Sequence, residues 1–147
     1  MLADRLKLRV HREMVEMPVY ALTAGPRGGK LEKASIAEEN CTESAPIGGT
    51  GCHQFLGGVG RGMHGAAVDL ADVALYASNW SDRPIVDETG LQGLYNIQTE
   101  GWGAPIFNDS TRPSLEEIFE TLGLKLTPKK AAVEFYVIDH IEKPSDN

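Results

Sequence analysis

Histidines are the residues of this chain with the most versatile chemistry, because their rings can move protons or bind metals near neutral pH. The four histidines, His11, His53, His64 and His140, are far apart, and none belongs to an H-x-x-x-H or H-E-x-x-H pattern. Asp139 precedes His140 and could orient its ring as in a general base, but an exposed pair at the end of a strand is favoured. We therefore predict no metal site and no catalytic histidine.

The two cysteines, Cys41 and Cys52, are the best candidates for a nucleophile. Their C-x10-C spacing fits no common zinc site, and the chain has no C-x-x-C redox motif. A disulfide between them would close a short loop, and two free thiols are the alternative. Cys52 and His53 are adjacent, so on an extended chain their side chains point to opposite sides and are poorly placed to share a proton. A disulfide is thus favoured over a catalytic thiol.

Glycines are concentrated at residues 57–62, where G-G-V-G-R-G could suggest a phosphate-binding loop. Such a loop needs a following helix and usually a Lys-Ser/Thr pair, whereas here a strand is predicted to follow and lysine is absent. Glu116, Glu117 and Glu120 belong to a helix start and its outer face, and no carboxylate pair is forced to the separation that glycosidases use. We predict no catalytic residues, no cofactor and no enzymatic activity.

Aromatic side chains in the connections between elements are the remaining candidates for a binding surface. Trp80, Trp102 and Phe107 lie in such connections. Rings in these positions either pin a loop to the core or mark a contact surface, and pinning is favoured for the tryptophans. Together with His64, these three residues form the candidate binding surface.

The elements that must position these residues follow from the periodicity of apolar side chains. Alternation over residues 6–12 and 17–23 predicts an N-terminal β-hairpin within residues 1–24, with residues 13–16 as its connection. Residues 25–60 are rich in glycine and lack periodicity, which indicates a long loop. The remaining segment, residues 61–147, predicts the order β-α-β-β-α-β-β, with a turn at residues 128–131 before the last strand.

Two amphipathic helices organise the segment from residue 61 onward. Asp69 is a natural N-cap for a helix whose apolar residues recur at the i, i+3, i+4, i+7 spacing from Leu70. Ser114 and Glu117 form a capping-box pattern at the start of the second helix. Neither helix could bury its apolar face alone, so both are expected to pack on small sheets. The prediction is an α+β fold whose segments form one compact unit.

Composition limits the classes of partner. Apolar residues make up 41% and charged residues 24% of the chain, which are values typical of a folded globular domain. The net charge of −7 and the scattered acidic residues argue against a nucleic-acid partner. No apolar run reaches the length of a transmembrane helix, and the N-terminus does not resemble a signal peptide.

Five motifs in order give the chain a specific resemblance. They are R-L-K-L-R-V-H-R-E, M-P-V-Y-A-L, R-P-I-V-D-E-T-G-L-Q-G-L-Y, L-G-L-K-L and V-I-D-H-I-E-K-P-S-D-N. Together they resemble a soil-associated bacterial protein family of unknown function, whose members are typically longer, exported and preceded by a further module. The resemblance implies that this chain is the C-terminal portion of such a protein and acts outside the cytoplasm, in the periplasm or after secretion.

The element order from residue 61 also resembles the short N-terminal domain of secretins and TonB-dependent receptors. The similarity rests on S-L-E-E-I-F-E-T-L-G-L-K-L leading into V-E-F-Y-V-I. In those systems the domain is a periplasmic protein-interaction or signalling module that performs no chemistry, so the resemblance implies a similar role for residues 61–147.

Three functional hypotheses follow. The first is a non-enzymatic extracytoplasmic interaction or signalling module that engages a protein partner through exposed strand edges or the 25–60 loop. The second is a small-molecule or saccharide binder, or a hydrolase, with a cleft beneath that loop near Trp102 and His64. The third is a structural domain that forms a homo-oligomer through an edge strand.

Overall fold

The computed structural model describes residues 6–26, 29–41, 51–103 and 111–143. These residues form seven strands, two α-helices and a short 3-10 helix at Glu38–Asn40. The elements are β1 (Arg9–Ala24), β2 (Glu32–Lys33), β3 (Gln54–Gly58), β4 (Gly62–Val68), α1 (Leu70–Ser78), β5 (Ile85–Asp87), β6 (Tyr95–Gln98), α2 (Leu115–Thr121) and β7 (Leu124–His140). The fold is therefore α+β, which confirms the predicted class.

The strands form two sheets. One has the order β5-β1-β7, in which β5 runs parallel to β1 and pairs Ile85 with Tyr20. The other has the order β2-β6-β4-β3 and consists of antiparallel pairs. The first and last strands of the chain are thus neighbours in one sheet, although about a hundred residues separate them in sequence.

The chain divides into two compact units. One unit is Val19–Lys129, and the other combines Met1–Pro18 with Lys130–Asn147. We call the described part of the second unit, residues 6–18 and 130–143, the terminal ribbon. The unit boundaries do not follow the predicted segments 1–24, 25–60 and 61–147, because β1 and β7 each contribute residues to both units.

The hydrophobic core lies in the unit Val19–Lys129. The predicted apolar face of α1 is buried there, and α2 contributes Ile118 and Phe119. Both predicted N-caps form complete capping boxes, Asp69 with Asp72 and Ser114 with Glu117. Each box satisfies backbone N–H groups that the first turn of a helix leaves without a partner.

The predicted hairpin over residues 6–23 is replaced by a single continuous strand, β1. Residues 13–16 (E-M-V-E) contain no glycine, asparagine or aspartate that would favour the backbone angles of a tight turn. β1 instead pairs with β7, which supplies the backbone partners that the hairpin would have provided.

The turn predicted at residues 128–131 is also absent, because β7 continues through it. Pro128 lies within β7, which is an edge strand in the order β5-β1-β7. Among the described residues, no strand of this sheet pairs with the outer side of β7, so there are no hydrogen bonds between strands on that side for a proline to interrupt. An edge strand tolerates proline, which has no N–H to donate.

The segment predicted as a long loop, residues 25–60, is partly built into the four-stranded sheet. It contains β2, the 3-10 helix and β3, and β3 forms an antiparallel hairpin with β4. Residues 42–50 of this segment lie outside the described residues. Neither helix of the described chain has the length and apolar character needed to cross a bilayer.

Candidate functional site

The cysteines form a disulfide between Cys41 and Cys52, whose Cα atoms are 5.6 Å apart. The predicted disulfide is therefore confirmed. It links the end of the 3-10 helix to the residue before His53. A bonded sulfur is neither a nucleophile nor a thiolate ligand, so this pair contributes no reactive thiol to the site.

His53 is held between two carboxylates. Its Nδ1 lies 2.5 Å from Asp72 Oδ2, and its Nε2 lies 2.9 Å from Glu38 Oε1. Both contacts are hydrogen bonds only when both ring nitrogens carry a proton, that is, when the ring is charged. The hydrogen bonds to Asp72 and then to Glu38 accordingly raise the pKa of His53 above its ordinary value.

The same cluster contains the groups that could approach a metal ion. Ligand atoms of His53, Asp69 and Asp72 lie within 4.8 Å of one another. These carboxylates are already used, because Asp69 accepts from the Asp72 N–H at 2.7 Å and Asp72 accepts from the Asp69 N–H at 3.1 Å. The cluster is therefore a helix cap and an ion pair joined through His53, and we assign no metal to it.

The other histidines have separate surroundings. In the terminal ribbon His11 contacts Asp139 at 2.8 Å and Glu13 at 2.7 Å, and these hydrogen bonds raise its pKa. Asp139 thus pairs with His11 and not with its neighbour His140, because adjacent side chains of a strand point to opposite faces. His140 contacts Glu142 at 3.0 Å.

His64 and the two tryptophans line different cavities. A cavity of about 450 Å³ is lined by His64 together with Lys30, Leu31 and Leu56 from the predicted loop segment. In it the His64 ring donates from Nε2 to the Arg61 carbonyl at 2.9 Å. The cleft that the sequence suggested near both Trp102 and His64 is therefore two sites. Phe107, the fourth residue of the candidate binding surface, lies outside the described residues.

Trp80 and Trp102 line a second cavity of about 370 Å³, together with Tyr20, Ser81, Asp82 and Glu116. The two indole rings meet edge to face, with centroids 5.6 Å apart and planes inclined by 79°. Trp102 is 1% exposed, and its Nε1–H has no acceptor among the described residues. A buried donor without a partner costs about 1–3 kcal/mol, so this atom needs an explanation.

Tyr20 lines this cavity together with two carboxylates, those of Asp82 and Glu116. Burial raises the pKa of the Tyr20 phenol, and the nearby carboxylates of Asp82 and Glu116 raise it further. The positive charge of Arg83 lowers the pKa of Tyr20 and so opposes the effect of the carboxylates. Its Cζ lies 5.2 Å from the Tyr20 ring centroid, and its Nε lies 3.4 Å from Asp82 Oδ2. Sequence reasoning named the tryptophans but missed Tyr20, Asp82 and Glu116, because they are distant from one another along the chain.

Residues 57–62 span the end of β3, the turn that follows it and the first residue of β4, and they do not form a phosphate-binding loop. Gly58 pairs with Gly62 across this hairpin, and β4 follows in place of a helix. Gly62 has a φ of +86°, and a Cβ on it would collide with the Thr99 carbonyl oxygen. Glycine is therefore required here for close packing of backbone.

A protein-family model matches most of the chain. The model of a protein family of unknown function, DUF3738, matches residues 1–141. The chain belongs to the DUF3738 family. No curated protein and no solved structure gives a significant match to this DUF3738 chain. The family match agrees with the predicted membership of a family of unknown function, while the soil-bacterial origin and the secretin/TonB similarity stay predictions.

Proposed function

We propose that this DUF3738 protein is a non-enzymatic, extracytoplasmic interaction module that binds an extended segment of another protein along the outer edge of β7. One observation carries the proposal. Of the nine large apolar side chains that the described residues expose, seven lie in the terminal ribbon. These seven are Val10, Met14, Val15, Phe135, Tyr136, Ile138 and Ile141. Concentrated apolar exposure of this kind is typical of interaction surfaces.

The ribbon also offers unused backbone hydrogen-bonding groups. β7 is at the end of its sheet, and β1 pairs with β5 only at residues 20–22. Within the ribbon, the outer edges of β1 and β7 therefore have no partner strand in the described parts of the chain. An exposed edge with apolar side chains can accept an added strand from another protein.

Charge distribution favours the edge of β7 over that of β1. Residues 131–138 read A-A-V-E-F-Y-V-I, in which Glu134 is the single charge. Residues 9–18 of β1 contain four charged side chains and end at Pro18, and both features discourage strand addition. The edge of β7 is thus the better match for an uncharged, alternating apolar strand.

Net charge favours a different protein over a second copy of this chain. The described ribbon contains five Lys or Arg and five Asp or Glu residues, so it is neutral, whereas the whole chain carries −7. Ion pairs such as Lys7–Glu142 at 2.6 Å and Arg12–Glu134 at 3.7 Å balance charge within the ribbon. Self-association would bring two acidic chains together, which their mutual repulsion opposes.

The Cys41–Cys52 bond supports the extracytoplasmic part of the proposal. Disulfides persist in oxidising compartments such as the periplasm and the extracellular space, and they are rare in the cytosol. Cell fractionation that recovered the native protein with the cytosolic fraction would contradict this part.

The binding proposal is tested by capture of envelope proteins on wild-type chain, Ile138→Lys and Leu75→Lys. Ile138 is 59% exposed on β7 and Leu75 is 72% exposed on α1, so the two variants place lysine at comparably exposed apolar sites. We expect Ile138→Lys to weaken binding of the captured, purified partner by about tenfold or more, and Leu75→Lys to leave it unchanged.

Amide hydrogen exchange identifies the contacted edge. The purified partner is expected to protect residues 131–138 against exchange, because an added strand occupies their outward backbone groups. Equal loss of binding in both variants, or no protection at these residues, would contradict the proposal. So would a stable dimer in light scattering whose formation protects the same residues, since the occupant would then be a second copy.

A further inference from the structure

The terminal ribbon consists of two strands without a core of their own. None of its described residues is buried. In the described chain, β7 is the partner of β1 along the ribbon, because β5 pairs with β1 at residues 20–22, outside it. A ribbon of two strands is marginally stable in water. Individual contacts between the strands therefore decide how much of the time β1 and β7 stay paired.

His11 makes such a contact in the middle of the ribbon. Its Nδ1 lies 2.8 Å from Oδ1 and 2.9 Å from Oδ2 of Asp139, which belongs to β7. Its Nε2 lies 2.7 Å from Oε1 of Glu13 on its own strand. The imidazole thus joins the two strands and holds a second carboxylate at the same time.

The end of the ribbon is held by groups that keep their charge. The Glu142 N–H donates to the Leu6 carbonyl at 2.8 Å, and the Lys7 ammonium lies 2.6 Å from the Glu142 carboxylate. Lysine stays charged up to about pH 10, whereas histidine loses its charge near neutral pH. The link through His11 is accordingly the one that changes between pH 6 and pH 9.

The charge of the His11 ring determines how many of its contacts are hydrogen bonds. A charged imidazole donates from both nitrogens, so it can bind Asp139 and Glu13 together. A neutral ring has one N–H, and its other nitrogen presents a lone pair to a carboxylate. Loss of the proton therefore removes one of the two bonds and replaces it with a repulsive contact.

The charged groups on this face of the ribbon oppose a neutral ring. Arg9 and Glu13 lie two residues before and after His11, so all three share one face of β1. β7 presents Asp139 there, and the adjacent residues on that face of β7 are uncharged. Once the ring is neutral, two carboxylates face each other with Arg9 as the cation on that face. The hydrogen bonds to Asp139 and then to Glu13 accordingly raise the pKa of His11.

We propose that His11 is a pH-dependent clip, which fastens β1 to β7 while its ring is charged and loosens the terminal ribbon once the ring is neutral. The pKa of His11 is raised in the paired ribbon, so the clip is fully closed below the ordinary value of 6.5. It opens as the pH rises through the raised pKa.

The consequence for binding rests on the proposed function. An added strand needs β7 in its extended, paired form, because only that form offers a regular edge. The apparent affinity for the partner is reduced by the fraction of chains whose ribbon is open. Strand binding at β7 is therefore expected to weaken at alkaline pH.

NMR spectroscopy of the full chain at pH 5.5 and pH 9 tests the clip without a partner. Histidine ring shifts give the pKa of His11, while cross-strand contacts and Cα shifts in the ribbon measure the paired fraction. The equilibrium constant for opening is expected to rise by about twofold to fivefold between these pH values, since an exposed ion pair contributes modestly.

Three variants separate the charge of the ring from its bulk. His11→Gln is expected to leave the ribbon equally open at both pH values, and His11→Lys to keep it paired at pH 9. His140→Gln is the matched control. The His140 side chain is 48% exposed, against 45% for His11, and it contacts Glu142 two residues along the same segment. We expect this control to retain the wild-type dependence on pH.

Equal pairing of the wild-type ribbon at pH 5.5 and pH 9 would overturn the proposal. An unchanged pH dependence in His11→Gln, or its loss in His140→Gln, would do the same. Failure of strand addition is distinguished from failure of the clip, because the paired fraction is measured in the free chain. A paired fraction that follows the titration of His11 would support the clip even if no protein bound at β7.

Discussion

His53 shows how a single side chain can fasten a loop to a helix. It follows Cys52, so the disulfide and the imidazole act on the same turn of the chain. Its partners Glu38 and Asp72 belong to the 3-10 helix and to α1, 15 and 19 residues away. His53 also has a positive φ of 58°, a conformation that non-glycine residues adopt at some cost. The two charge-assisted hydrogen bonds offset that cost while the ring is protonated.

Stability is therefore expected to depend on pH through His53. Its folded pKa is raised above the ordinary value of 6.5, so its stabilising contribution is complete below that pH and is lost as the pH rises through the folded pKa. His53→Gln should lower the free energy of unfolding by about 1 kcal/mol at pH 6 and by less at pH 9, after allowance for the partly exposed site. Urea denaturation at both pH values measures this difference.

Glu38→Gln provides the control for this prediction. It removes one of the two carboxylates without disturbing the α1 capping box, which Asp69 and Asp72 form. We expect an effect smaller than that of His53→Gln but with the same dependence on pH. A His53→Gln effect that is equal at pH 6 and pH 9 would show that the ring stabilises the fold through packing and not through its charge.

The β3–β4 hairpin is fixed by the close approach of its neighbours. Gly62 begins β4, and a side chain at this position would meet the Thr99 carbonyl just after β6. Thr99 is tied to the same strand, because its hydroxyl accepts from the Met63 N–H at 2.9 Å. The glycine-rich sequence thus serves packing between strands, and its pattern does not require a ligand.

Gly62→Ala is expected to lower the free energy of unfolding by about 2 kcal/mol or more, because it combines a positive φ with a collision against backbone. Gly90→Ala is the matched control, since Gly90 has a φ of +68° and nothing within 4 Å of an added Cβ. That control should cost about 1 kcal/mol. Equal losses in thermal or urea denaturation would show that backbone strain alone matters at Gly62.

The Cys41–Cys52 disulfide is the covalent cross-link of the molecule, and it is also the observation that concerns the cellular compartment of the protein. Replacing Cys41 and Cys52 by serine should lower the free energy of unfolding by about 2–3 kcal/mol, because the unfolded chain regains the freedom that the loop closure removes. Intact mass after alkylation, with and without reductant, measures the bond in protein isolated from its native cells. Two alkylated cysteines without reductant would contradict both the bond and the oxidising compartment.

Features that depend on neighbours within a few residues could be predicted from the amino-acid sequence. The capping box at Ser114 and the N-cap at Asp69 were both predicted, because a cap involves residues within three positions of each other; the reciprocal bond from Asp72 was not predicted. The α+β class was predicted from the local helix and strand patterns. The disulfide was predicted because the chain has only two cysteines, which leaves one possible pairing within it. The extended character of β1 and β7 was also predicted in part, since alternation is a local pattern.

Features that depend on which distant segments meet appear only in the folded chain. Residues 13–16 and 128–131 were predicted to turn, yet they stay extended. They do so because β1 pairs with β7, although most of the chain lies between these two strands. The cavity likewise brings Tyr20, Trp80, Trp102 and Glu116 together from four parts of the sequence. A local pattern encodes the propensity of a segment, but long-range pairing carries no fixed spacing, so only the folded chain shows it.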